Sequence, residues 1–362
     1  VIRWRAGTVT GRGRAWAGAQ EYTVALERRT DDDPEQVRAL AYPALVGTPE
    51  VGDQVLLNTG ALALALGTGG YALVVAVPDR LPPDPAGPGH LVKARYTPLQ
   101  AVILGADEQG SPHHDVLAAA GSLDGMPVVV ADLHSALPAV LAAVAADRPG
   151  TAAAYVLTDG GALPAWFSRT VAGLTDAGLL AGTVSAGQAF GGDLEAVTVH
   201  SALLAARHVL GAELAVVAQG PGNLGTGTPW GYSGVAAGEA VNAAAVLGGR
   251  PVASLRISDA DPRERHRGIS HHSMTAYGRV ALAAADVVVP DGLPADLAGH
   301  VDRQVAELAE RHKVVRVPSD GLDAALRASP VGLSTMGRGL DADHAYFLAA
   351  AAAGRHAAAL LG

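Results

Sequence analysis

Over residues 1 to about 80 the apolar positions come in short alternating runs: "IRWRAGTVTG", "EYTVALERR", "VRALAYP", "DQVLLNT" and "YALVVAVP". These runs are rich in β-branched and aromatic residues, and Gly- and Asp-containing turns separate them. Such alternation predicts strands with one buried face. Five or six strands of this kind close most simply into a small barrel. Residues 79–90, "DRLPPDPAGPGH", then read as a stiff extended linker.

From about residue 96 the rhythm changes to short continuous apolar runs: "LQAVILG", "PVVVAD", "AAYVLTD", "AVTVH", "ELAVVAQG", "PVASLRIS", "ADVVVPD" and "HKVVRVPSD". Ala- and Leu-rich stretches of helical length, such as "SALPAVLAAVAADR" and "GVAAGEAVNAAAVLG", separate most of them. Unbroken apolar strands alternating with helices imply a mostly parallel sheet covered on both faces. The expected architecture is therefore α/β. A small all-β, barrel-like domain spans residues 1–88, and a Rossmann-like, helix-covered ligand-binding domain spans 89–362. The closing stretch "YFLAAAAAGRHAAALL" has the small residues that suit close helix packing, inside the chain or across a dimer.

Composition narrows the function classes. The net charge of −9 argues against broad nucleic-acid binding, which needs clustered Lys and Arg to neutralise phosphates. Trp4 and Trp16 among Arg3, Arg5, Arg12 and Arg14 have the mixture found on base-stacking surfaces, but barrel core plus solvated charge accounts for them better. The absence of Cys removes disulfides, zinc ribbons, iron–sulfur clusters and thiol nucleophiles together. "ALALALG" and "YFLAAAAAG" are too short to cross a bilayer, so a cytoplasmic protein without a membrane partner is expected. A charged fraction of only 17% favours self-association.

The opening "RWRAGTVTG", the run "ALAYPALVGTPEVGDQVLLNTGALALALGTGGYALVV", the segment "RGISHH" and the closing "STMGRG" followed by "YFLAAAAAG" together resemble one bacterial family, domain of unknown function 3866. The resemblance runs the length of the chain. It implies no activity, so the chemistry has to come from the residues.

In open α/β sheets ligands bind beyond the carboxyl ends of the strands. The residues following the predicted strands are therefore the candidates. "QGPGNLGTGTPWGYSG" carries Gly220, Gly222, Gly225 and Gly227 with Thr226 and Thr228 between them. The first three glycines match the dinucleotide spacing, but Pro229 and Trp230 delay the helix to about Ser233, unlike the true motif. What remains is a backbone able to converge on an anion ahead of a helix N-terminus. "RERHRGISHH" supplies Arg263, Arg265, His266 and Arg267 as anion contacts. His271 or His272 is the candidate acid–base group, oriented by Asp259, with Ser270 capping a helix that runs on through "HHSMTAYGRVALAAA". Ser334, Thr335 and Arg338 form a second possible anion contact. His113, His114, Asp132 and His134, with Asp159, His271 and His272 if they converge, have ligand types suited to zinc or manganese, which makes a divalent metal the candidate cofactor.

Three functions fit these residues. The first is binding of, and action on, a phosphorylated or carboxylated small molecule at the Gly-rich and Arg/His-rich loops. The second is a non-catalytic regulatory or assembly module. The third is metal-dependent hydrolysis by His and Asp groups at the strand ends.

Overall fold

The structure is a computed structural model describing residues 2–27 and 33–361; Arg28 and Arg29, which end the second predicted strand, lie outside the described residues. The chain divides into two compact units, Val1–Gly87 and Pro88–Gly362.

The first unit is a closed five-stranded barrel: β1 (Trp4–Trp16), β2 (Ala19–Leu26), β3 (Gln36–Ala41), β4 (Gln54–Asn58) and β5 (Ala72–Ala76), in the order β1-β2-β3-β5-β4. Strand β1 is long enough to pair with both β2 and β4 and so closes the ring, and register shifts after Val9 and Arg12 bend it. Alternate residues point inward: Val9, Tyr22, Val24, Val37, Val55, Leu57 and Val74 make the core. Asp33 takes hydrogen bonds from Arg3 and Arg5 at 2.9 and 2.7 Å, which neutralises part of the basic surface seen in the sequence.

The second unit is built on an eight-stranded sheet. Its strands are β8 (Pro127–Ala131), β9 (Ala153–Thr158), β10 (Gly182–Ser185), β11 (Leu194–Glu195), β12 (Leu214–Gln219), β13 (Arg250–Ser254), β16 (Asp286–Pro290) and β17 (Lys313–Val317). They lie in the order β11-β10-β9-β12-β8-β13-β16-β17, every pairing parallel. Strands β8, β9 and β12 are buried along their whole length, as their unbroken apolar runs require. Helices Val199–His208, Ala236–Val246 and Ala295–Leu308 cover one face, and Leu137–Asp147, Arg169–Asp176 and His344–Ala359 the other. The closing helix is buried inside the chain against Leu137–Asp147, where Gly354 allows backbone contact with Val140.

Two predicted strands differ. "LQAVILG" does not enter the sheet; its Ala101–Ile103 (β7) forms a separate antiparallel pair with Leu91–Lys93 (β6). "AVTVH" is the start of a helix, because Thr198 and Ser201 form a capping box that nucleates Val199–His208. The strand "GTVS" (β10) was missed, being short and half polar. Lys93 is wholly buried and donates to the carbonyls of Gly187, Ala189 and Ala196 at 2.7, 2.8 and 3.2 Å, with Glu195 at 3.4 Å. Burial pushes the Lys93 ammonium down and the Glu195 carboxyl up. With every proton accepted, this lysine fastens the β6–β7 hairpin to the sheet.

Candidate functional site

The segment between β13 and β16 shows how the chain assembles the site. After β13 it runs through Ile257–Ser258 (β14), turns, and returns as Gly268–Ile269 (β15), antiparallel to β14. Gly268 makes the return possible: its φ is +67°, and a Cβ there would lie 2.3 Å from Gln304 Oε1 and from His300 Cδ2. Gln304 holds the returning strand from both sides, accepting from Ile269 N at 2.7 Å and donating to Ile269 O at 3.1 Å. Ser270 then caps the helix His271–Thr275 as expected, with its hydroxyl accepting from His272 N.

The predicted long helix stops early. Five residues of α-helix are followed by a π-turn, Ala276–Val280. Asn242 ends it by donating to Val280 O and accepting from the amides of Leu282 and Ala283. Within the π-turn the buried Tyr277 hydroxyl donates to Val130 O at 2.8 Å and Ser254 O at 3.2 Å, which ties the segment to the carboxyl ends of β8 and β13.

The result is a cluster of three imidazoles. The ligand-type nitrogens of His266, His271 and His272 all lie within 4.8 Å of one another. The His266 Nδ1 is bonded to Ser270 Oγ at 2.7 Å, so its Nε2 is the atom left to offer. His272 stacks on Tyr232 at 3.8 Å between ring centroids, and the Tyr232 hydroxyl donates to His272 O at 2.6 Å. Asp132, at the end of β8, brings its Oδ2 to 3.8 Å from His272 Nδ1, while Gln219 Nε2 holds the Asp132 carbonyl at 2.9 Å.

Buried polar atoms are ordinarily paired. Here His271 Nε2, His272 Nδ1, Asp132 Oδ2, Gln219 Oε1 and Asn223 Nδ2 are buried with no hydrogen-bond partner, and they account for five of the seven such side-chain atoms among the described residues. Unsatisfied donors and acceptors are thus concentrated at one sheet edge.

The electrostatics favour neutral imidazoles. Burial, reinforced by the nearby Arg256 and Arg263, pushes His266 down to about 3. Burial with His271 and His266 alongside does the same to His272, and His271 is lowered as well. Burial raises Asp132 to about 6, partly offset by Arg256. A neutral imidazole with a free lone pair is the form that binds a metal.

The other predicted residues are distributed differently. His134 is buried and fully occupied: Nδ1 lies 3.1 Å from the Tyr155 hydroxyl and Nε2 lies 2.8 Å from Ser168 Oγ. Tyr155 gives its own proton to the carbonyls of Ala218 and Gln219, so the His134 proton sits on Nδ1 and Nε2 accepts from Ser168. The His114 Nδ1 is bonded to Asp107 O at 2.8 Å, and neither His113 nor His114 belongs to the cluster. Asp259 is exposed and lines a surface groove with Glu264, Arg267 and His300.

Arg263 is committed to Asp261, as is the buried Arg256, and Arg338 bridges Asp261 and Asp343. Arg265 is exposed and its guanidinium reaches within 4.0 Å of a Cβ placed on Gly227. The glycine loop is pinned on itself. Leu224 N donates to Ser233 Oγ, Thr226 N to Gly231 O, and Gly231 N to Thr228 Oγ1. Gly225 bridges Tyr232. Gly220 sits where a Cβ would meet Leu163 Cδ2 at 2.0 Å, and Gly222 has a φ of +90°. Ser334, Thr335 and Gly222 do come together, on a cavity beside His134. Sequence reasoning missed Tyr232, Asn223, Gln219 and Arg256. Only Arg256, a charge directly after an apolar strand, carried a local signal.

Acid is expected to destabilise this fold. His134 (about 4), His266 and His272 (about 3) all sit below their ordinary value of 6.5, so the unfolded chain binds more protons and stability falls as pH drops below 6.5. Asp132, raised from 3.8 to about 6, and Glu195, raised from 4.5 to about 7, oppose this, but the three imidazoles outnumber them. Urea midpoints should therefore be lower at pH 5 than at pH 7.5; equal or higher midpoints would contradict the burial of these imidazoles.

A family model described as Protein of unknown function (DUF3866) matches residues 38–354. No curated protein and no solved structure matches the chain.

Proposed function

The chain belongs to the DUF3866 family, and we propose that it is a divalent-metal-dependent hydrolase acting on a small anionic molecule. The observation that carries this reading is the set of unpartnered buried atoms on His271, His272 and Asp132 around a three-imidazole cluster. Three imidazoles are a donor set for zinc that leaves a position open for water. Bonds of about 2.0–2.1 Å would draw the ligand atoms closer than their present 4.8 Å limit. Ser270 orients His266 through Nδ1, and Tyr232 orients His272 by stacking; such outer contacts set ligand direction.

A bound ion would supply Lewis acidity and lower the pKa of a water. Asp132 is placed to take that water's proton, because its Oδ2 has no partner and its pKa stands near neutrality. With the ion bound, the water oxygen would bond to the ester or phosphoester centre as the bond to the leaving oxygen broke, and Asp132 would hand the proton it had taken to that leaving oxygen. Arg265, exposed and within 4.0 Å of a Cβ placed on Gly227, adds positive charge beside the glycine loop.

The test is equilibrium dialysis against Zn²⁺ and Mn²⁺, followed by assay on p-nitrophenyl phosphate and p-nitrophenyl acetate. The expected result is one retained ion per chain and turnover that EDTA removes. No retained ion, or turnover indifferent to EDTA, would overturn the reading.

A further inference from the structure

Beside Asp132 on the same chain segment, Leu133, His134 and Ser135 open onto a cavity of about 270 Å³. Its lining offers a ligand no free charge. No Asp or Glu lines it among the described residues, and its one arginine, Arg169, already has a partner. Both His134 nitrogens are taken by Tyr155 and Ser168. What the lining does offer is neutral hydrogen bonding. The hydroxyls of Thr170 and Ser334 face the cavity without a protein partner.

Asn223 gives the strongest sign of a ligand. Its Oδ1 accepts from Ser233 Oγ at 2.8 Å and from Gly234 N at 3.3 Å, so the amide is fixed with Nδ2 as its open end. That Nδ2 is buried with no acceptor, in a residue that lines the cavity. A buried donor left unpaired is costly, and an oxygen on a ligand would satisfy it. A Cβ placed on Gly234 would lie 3.1 Å from both Asn223 Nδ2 and Asp132 O. The open donor therefore stands next to the chain segment that carries the carboxylate of the histidine site.

The rest of the lining is apolar, with Phe167 and Met336 the largest side chains. Met336 opens the turn between Ser334–Thr335 and Arg338–Gly339 with a φ of +48°. Such a turn favours Asn, Asp or Gly at that position. Strain kept in a ligand-facing loop points to a use. Hydroxyls, one amide donor and apolar surface without charge complement a molecule with hydroxyl edges and C–H faces. The volume, just below the range of about 300–1,000 Å³ usual for larger ligands, suits a single ring.

We infer that this cavity holds the uncharged polyol part of the substrate, a single sugar ring or cyclic polyol. Asn223 Nδ2 and the Thr170 and Ser334 hydroxyls are its hydrogen-bond partners. The inference rests on the metal reading for the reacting phosphoester end of that molecule and adds the end that is held.

The experiment is calorimetric titration of the full chain with glucose, ribose and myo-inositol as neutral probes, and with adenine as a planar, hydroxyl-free contrast. At least one polyol should bind the wild type. Asn223→Asp keeps the Oδ1 contacts to Ser233 and Gly234 and removes the NH₂, so it should fold and bind that polyol about three- to tenfold more weakly. Thr170→Val, which changes no cap, should weaken it in the same direction. His271→Ala should lose metal and keep the polyol. Binding of no polyol, preference for adenine, or equal binding by wild type, Asn223→Asp and Thr170→Val overturns the inference. Loss of the polyol in His271→Ala overturns it too, because the hydroxyls would then be sitting on the ion. A wild-type chain that retains no metal in dialysis, yet binds the polyol and loses it in Asn223→Asp, removes the metal reading and upholds the cavity.

Discussion

His271→Ala is expected to weaken Zn²⁺ or Mn²⁺ binding by at least about 100-fold, since even contacts outside the ligand set are worth 10- to 100-fold. The reason lies in what the substitution removes. His271 Nε2 is a buried nitrogen with no partner, facing two further imidazoles. Without it His266 and His272 are left as a pair, and only Asp132 remains near enough to help. The fold should survive, because Ser270 still caps the helix through His272 N and Tyr277 still anchors the π-turn to Val130 and Ser254. His272→Ala should act in the same direction and also lose the stack on Tyr232. His113→Ala, outside the cluster, is the control and should bind metal like the wild type. Titration with a competing chelator measures all three. Wild-type affinity in His271→Ala would show that the orphaned nitrogens are a packing accident.

The largest stability effect should come from a residue far from any chemistry. Gly354 lies in the closing helix where it crosses Leu137–Asp147, and a Cβ there would meet Val140 O at 2.3 Å, C at 2.9 Å and Cα at 3.0 Å. These are backbone atoms, so no side chain can rotate aside, and the two helices must separate. Both helices are buried along most of their length, and separation would open the apolar face that covers the sheet. Gly354→Ala is therefore expected to cost about 3 kcal/mol or more, the upper end of ordinary overpacking. Gly121→Ala, with nothing within 4 Å of its Cβ, should cost far less. Urea unfolding of the two variants decides it, and a midpoint for Gly354→Ala equal to that of Gly121→Ala would contradict the close crossing.

Where the sequence was read correctly, local pattern and tertiary need coincide. The barrel strands alternate because one face is core, and β8, β9 and β12 are unbroken runs because both faces are. Where the two part, the pattern misleads. "AVTVH" has strand composition, yet a Thr198–Ser201 cap decides for helix. "LQAVILG" is apolar, but it pairs with a neighbouring hairpin strand and leaves Val102 exposed.

The site was half legible for the same reason. His271 and His272 stand out as adjacent residues at a helix start, and Asp132 as a carboxylate ending an apolar strand. That His266 joins them depends on Gly268 reversing the chain, a return secured by Gln304 from a helix more than thirty residues on. His134 sits in the same type of strand-end position as Asp132, but Tyr155 and Ser168 take both of its nitrogens. No local spacing foretells which histidine is occupied and which is left open. The arginines divide in the same way, Arg263 and Arg338 being drawn to Asp261 while Arg265 remains exposed.

Metal binding at the histidine cluster is tested most directly by anomalous diffraction from crystals of the wild-type chain grown or soaked with Zn²⁺ or Mn²⁺. One strong peak is expected about 2.0–2.2 Å from nitrogens of His266, His271 and His272, with Asp132 beside it. A peak at His113 and His114 instead, or an empty histidine cluster at saturating metal, would contradict it.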